Sequence, residues 1–195
     1  MEINKIKPNL IKLSLLTGIG FVVGGFFRTF LELTLADQEN FLLIFIAIWL
    51  GFLVEAMIGM WVLASLLRRV YPFKKLWVAG VGAFAAGIFL PALFINQFFV
   101  ALLILPGFLT GVFFSIFLGA QKGRATLIFS ITLGFVLCQI LIFSVGNDMS
   151  FTRWLYDNAG ENSVKIIVDI IMNMIVGISV SIGVWYTFNR SMEKQ

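Results

Sequence analysis

The sequence predicts an all-α polytopic membrane protein of six transmembrane helices, arranged as two inverted three-helix repeats. Three observations carry that expectation. The chain has 195 residues, 60% of them hydrophobic and 12% charged, whereas a soluble domain is closer to half apolar and a quarter charged. Mean hydropathy is +1.01, and several apolar runs reach the roughly 20 residues that cross a bilayer as a helix. Finally, "GFVVGGFFRTFL" at 20–31 returns as "GFLTGVFFSIFL" at 107–118, identical at seven of twelve positions, with Ser115 in place of Arg28.

The spans read, in order, as 13–35, 41–67, 76–95, 98–119, 125–146 and 164–188. Basic residues fall on alternate connections. Lys5, Lys7 and Lys12 precede the first span, Arg68, Arg69, Lys74 and Lys75 follow the second, and Lys122 and Arg124 follow the fourth. Arg190 and Lys194 end the chain. The segment 37–40 has two acids and no base, "INQF" near residue 96 is uncharged, and the fifth loop has one arginine, Arg153, against three acids. Under the positive-inside rule this places both termini in the cytoplasm of a cell-membrane protein. The first span is longer than a signal-peptide apolar core and holds Arg28 and Glu32, so it reads as a retained helix. The 22 phenylalanines read as lipid-facing filler. The whole of 1–195 is one transmembrane domain, with repeat one at about 13–95, repeat two at about 98–188 and an outer interfacial loop at 147–163.

The duplication extends to a second helix: "IWLGFLV" at 48–54 resembles "ITLGFVL" at 131–137. Spans one and two therefore match spans four and five. Three spans separate the copies, an odd number, so the second copy enters the membrane from the opposite face. Inverted repeats of this kind are common among secondary transporters, with a site near the midplane between the halves.

Residues four apart share a helix face. The resulting stripes are Gly20, Gly24, Arg28 and Glu32; Ala47, Gly51, Glu55 and Gly59; Gly107, Gly111, Ser115 and Gly119; and Ser130, Gly134 and Cys138. Their small residues suit close helix packing in lipid. Span six adds Lys165, Asp169, Asn173, Gly177 and Ser181, the most polar stripe of the chain. An ionised group at the centre of a membrane helix costs roughly 2.5–3.5 kcal/mol on insertion scales. These charges are therefore expected to face other helices. Glu55 lies near the middle of span two, and Arg28 about 6 Å from the midplane by helix rise. Arg28 is expected to pair with Glu55 or with Glu32. The pairing either locks helices together or lines a polar cavity in which Glu55 binds a cation or takes up a proton. The candidate pathway residues are Glu55, Arg28, Glu32, Asp169, Asn173 and Ser115. Pro106 before Gly107 is expected to interrupt span four and free a carbonyl. In the fifth loop, Phe151, Trp154 and Leu155 with Ser150 as N-cap predict a short interfacial helix, a candidate lid over the outer mouth.

Histidine is absent and Cys138 is the single cysteine. No disulfide can form within the chain, and zinc, haem and iron–sulfur sites lack their usual ligands. No cofactor, no enzymatic activity and no nucleic acid are expected; no nucleotide-binding or hydrolase motif is present. The segment "GGFFRTF" resembles, over about seven residues, an early segment of small four-span fluoride channels. The Thr/Ser/Phe-rich segment of that family is missing and the span count differs. Size, six spans and cytoplasmic termini resemble substrate-binding subunits of energy-coupling-factor vitamin transporters, without a ligand motif. Neither resemblance assigns a family. The expected partners are the lipid bilayer, a small solute or ion, and a second copy or a partner membrane subunit. The expectation is a small transporter or channel; the alternative is a non-catalytic subunit of a larger membrane complex.

Overall fold

The computed structural model describes residues 9–35, 40–92, 99–120, 123–146, 157 and 160–192. Among them the chain is helical, with no strand. Six helices follow in order: α1 Leu10–Thr34, α2 Phe41–Leu67, α3 Phe73–Ala92, α4 Phe99–Leu118, α5 Arg124–Gly146 and α6 Glu161–Met192. Five are long and apolar enough to cross a membrane; α4 contributes a shorter apolar stretch, Ile104–Leu118. The sequence spans coincide with these helices to within a few residues. The expected helix around Ser150, Phe151, Trp154 and Leu155, the "INQF" turn and Arg153 lie outside the described residues.

Local chemistry sets several of the ends. Asn9 and Asn40 cap α1 and α2, each accepting from the backbone N–H three residues on, which satisfies a donor that has no partner inside the helix. α4 closes with Gly119 at φ +66°. There the Ala120 N–H donates to the Ser115 carbonyl and the Gly119 N–H to that of Ile116. This pattern satisfies the last carbonyls and needs a left-handed residue, for which glycine carries no Cβ penalty.

Pro106 and Gly107, the expected break in span four, both lie within a helix, α4. Proline removes one backbone donor and so leaves one carbonyl of the preceding turn without its helical partner, while the helix continues. Gly107 serves packing instead: a Cβ there would lie 3.0 Å from the Thr132 Cα of α5.

Each helix packs on its neighbours in sequence, and α6 returns to α1, so the six form a closed ring. Successive helices are antiparallel. On α1 and α2, Gly20 faces Gly59 and Val62 while Gly24 faces Glu55. On α3 and α4, Gly87 meets Thr110 and Gly82 meets Phe117. On α1 and α6, Gly18 meets Met174 and Gly177. The middle of the ring is filled by aromatic rings from its odd-numbered helices. Phe21 lies 5.3 Å from Phe84, and Phe84 lies 6.0 Å from Phe135, between ring centroids. Phe114, Met60 and Ile131 are fully buried around them.

Up-and-down order puts the α2–α3 and α4–α5 turns at the same end of the ring as the start of α1. The exposed bases Lys12, Arg68, Arg69, Lys74, Lys75 and Arg124 all lie there. At that end Tyr71 donates to the Leu118 carbonyl at 3.2 Å and packs on Phe188 of α6, 4.7 Å between ring centroids. The other end carries Glu32 and Lys165. The outer faces are apolar: Ile19, Val23, Phe26 and Phe30 of α1 and Phe129, Leu133 and Ile140 of α5 are among the exposed side chains.

Candidate functional site: an ion-paired cluster around Arg28

α1 positions Arg28 by close approach. Gly24 brings α1 onto the backbone of Glu55, since a Cβ there would lie 2.5 Å from Glu55 Cα. Gly51, one turn before Glu55 on α2, leaves room for the stem of Arg28. On the other flank Gly25 packs directly on the Asn173 amide of α6. Three small residues thus let three helices converge on one guanidinium.

Arg28 is 4% exposed and Glu55 5%. Arg28 Nη1 lies 3.2 Å from Glu55 Oε2, Nη2 lies 3.0 Å from Asp169 Oδ1, and Nε lies 3.5 Å from Glu32 Oε1. Lys165 Nζ completes the group 2.8 Å from Glu32 Oε2. Thr29 Oγ1 donates to Asp169 Oδ2 at 2.7 Å, so both oxygens of that carboxylate are held. The ring of Phe52 sits 4.5 Å from the Arg28 carbon Cζ, on the π face, where a cation is stabilised by the ring quadrupole.

The cluster is not evenly satisfied. The Arg28–Asp169 contact is also a hydrogen bond. The Arg28–Glu55 contact is an ion pair by distance only, because its angles do not align. Glu55 Oε2 and Arg28 Nε are buried without a hydrogen-bond partner. Counted formally, one buried guanidinium faces two carboxylates, Glu55 and Asp169, and the outer pair of Glu32 and Lys165 cancels. The ionised cluster therefore carries an excess of one negative charge. Glu32 and Lys165 are partly exposed, which opens it towards the end of the ring opposite the basic turns.

Five of the residues singled out from the sequence meet here: Arg28, Glu55, Glu32, Asp169 and Asn173. Arg28 reaches both of its anticipated partners and Asp169 as well. Ser115 is elsewhere: its hydroxyl donates to Val112 O within α4 and its carbonyl closes that helix. Pro106 and Gly107 belong to the α4–α5 contact. Sequence reading missed Thr29 and Phe52. Thr29 had a signal, since it follows Arg28 directly and stands four residues from Gly25. Phe52 had none, because one phenylalanine among 22 does not declare a charged neighbour.

The second-copy stripe behaves differently from the first. Ser130 donates to the Ser179 carbonyl, Gly134 packs on Ser179, and Cys138 Sγ lies 3.4 Å from the Met172 carbonyl. These residues of α5 face α6, whereas Gly111 packs on Ile128. Gly24 and Glu55 touch in the first hairpin; their sequence counterparts Gly111 and Cys138 do not touch in the second.

The fold and cluster define an all-helical protein with membrane-length apolar helices and a buried charged centre. No family model, curated protein or solved structure matches the chain.

Proposed function

We propose that the chain is a multi-pass membrane protein that moves a small ion or solute, and that Glu55, paired with Arg28, which Asp169 also engages, is the group that binds a proton or cation. The observation that carries this reading is the charge excess at a buried site. A structural lock would be served best by matched charges, since a buried ion pair repays its desolvation only when well paired and hydrogen-bonded. Here one carboxylate oxygen is left without a hydrogen bond and the sum is negative. A bound proton or cation removes both costs. Apolar outer faces, with the charged cluster turned inward between α1, α2 and α6, are the distribution expected of helices surrounded by lipid. The gathering of bases at one end supports cytoplasmic termini in a cell membrane. An inverted pair of three-helix units rests on the match between 20–31 and 107–118 and not on the ring order, because a half-turn about an axis in the membrane plane reverses the order of helices around a ring. The differing hairpin registers mean that any such pair has diverged by a slide of helices.

The test is ion flux in liposomes containing the purified protein and a trapped pH dye, driven by an imposed membrane potential. Wild type is expected to dissipate the gradient faster than empty liposomes, and Glu55→Gln to abolish the difference. Equal flux through wild type and Glu55→Gln across pH 5–8 would overturn the reading. The second reading is a non-catalytic subunit. A stoichiometric partner chain on mild-detergent purification, with no flux from the isolated protein, would favour it.

A further inference from the structure

We propose that the species handled at the cluster is the proton, and that it reaches Glu55 from the basic end of the ring through buried water along the α1–α6 seam. The inference rests on the reading of the cluster as an ion-handling site.

The choice of proton comes from the arrangement of oxygens. Glu32, Glu55 and Asp169 each address a different nitrogen of Arg28. Their oxygens surround a guanidinium and not an empty centre. Among the described residues no three side chains of metal-ligating type converge on a point. A desolvated metal cation needs several oxygens around it at once. A proton needs one, and the Glu55 carboxylate, whose buried Oε2 has only the Arg28 ion pair and no hydrogen bond, offers it. Protonation forms an O–H bond at the Glu55 carboxylate, the proton coming from a hydronium ion that reverts to water, and brings the ionised cluster from one negative charge to neutrality. The charges acting on Glu55 are Arg28 and Glu32 from α1 and Asp169 from α6. Lys165 stands behind Glu32, and Cys138 of α5 lies within electrostatic range. α3 offers only Lys74 and Lys75 among the described residues, at the far end of the helix.

The route comes from a second set of buried atoms. Below Asp169 on α6 lie Asn173, Gly177, Ser181 and, two turns further, Asn189; Asn173, Ser181 and Asn189 are all buried. Facing them on α1 are Gly25 and Gly18, with Ser14 one turn before Gly18; Thr17 presents its backbone to Gly177, its carbonyl carbon 3.0 Å from where a Cβ there would sit, and carries its side chain on the ring side of the seam. Thr17 and Arg28 are eleven residues apart, close to three full turns, and so share a face. Hydroxyls in these helices usually fold back on their own backbone: Thr29 to Gly25, Thr34 to Phe30, Thr132 to Ile128, Ser181 to Gly177. Thr17 and Ser14 do not. Thr17 Oγ1, Ser14 Oγ and Asn189 Oδ1 are buried without a partner. Buried polar atoms in folded proteins are satisfied, and where protein groups are not in reach the partner is water. The three fall on the basic side of the cluster. A short apolar layer, Phe21 with Met174, separates them from it, and proton passage requires that layer to loosen.

Two measurements test this. In the liposome assay, Thr17→Val and Ser14→Ala, which delete the hydroxyls at nearly constant shape, are each expected to lower proton flux at least fivefold. Thr132→Val, whose hydroxyl is already bonded inside α5, is the control and is expected to leave flux unchanged. Thermal melting of every variant checks the fold. Wild-type flux from the Thr17→Val, Ser14→Ala double variant, with Glu55→Gln still inactive, would overturn the route alone. Wild-type flux from Glu55→Gln would overturn the proton and the ion-handling reading together. Independently of flux, water-edited solid-state NMR of the wild type in bilayers is expected to show water contact at Thr17 and Ser14. Dry signals at both would overturn the route.

Discussion

Arg28 is the residue on which the interior depends most. It sits against one buried carboxylate, Glu55, and one partly buried, Asp169, and its removal would leave both without a counter-charge. Truncating one partner of a buried ion pair costs roughly 3–5 kcal/mol. Arg28→Met is therefore expected to lower the melting temperature in detergent more than Glu55→Gln does. The triple variant Arg28→Met, Glu55→Gln, Asp169→Asn is expected to recover much of the loss, because no buried charge is then unmatched. A triple variant no more stable than Arg28→Met would show that packing of the arginine stem, not charge, is what matters. Arg28→Lys keeps the charge but loses the planar fork that serves Glu55, Asp169 and Glu32 at once. It is expected to fall between wild type and Arg28→Met.

At the scale of the element, the small-residue stripes are where helices touch, and the contacts grade their importance. A Cβ at Gly24 would stand 2.5 Å from the Glu55 Cα, against backbone that cannot move aside. A Cβ at Gly82 would come no nearer than 3.4 Å to Phe117. Overpacking of the first kind costs about 1–3 kcal/mol. Gly24→Ala is thus expected to lower the melting temperature measurably while Gly82→Ala leaves it near wild type; equal melting of the two would contradict the α1–α2 contact. The stripes themselves were legible, because small residues four apart are a direct signal for close approach. What they pack against was not. Ser130, Gly134 and Cys138 lie towards α6, a choice made by the slide of α5 along α4, and no spacing within one helix encodes the register between two.

For the whole molecule, the ring order and the one-ended distribution of bases give a testable topology. In a Cys138→Ala background, Lys74→Cys is expected to react with a membrane-impermeant maleimide only after cells are opened. Asn162→Cys is expected to react in intact cells. Labelling of both from the same side would rule out the up-and-down arrangement across a bilayer.

The sequence by itself determined the number, order and approximate limits of the six helices, and which of their faces are polar. The reason is local: apolar run length, turn residues and a four-residue period are all properties of contiguous chain. It also determined that Arg28, Glu55 and Asp169 belong to the interior, because their cost in an apolar environment leaves few other places for them. Only the tertiary structure decided that α6 returns to α1 and brings Asp169 to both Arg28 and Thr29. It alone showed that Phe52 covers that guanidinium and that Ser115 caps a helix instead of joining the cluster. Those outcomes depend on how helices slide and turn against each other, which is set by the summed packing of many side chains and by no single segment.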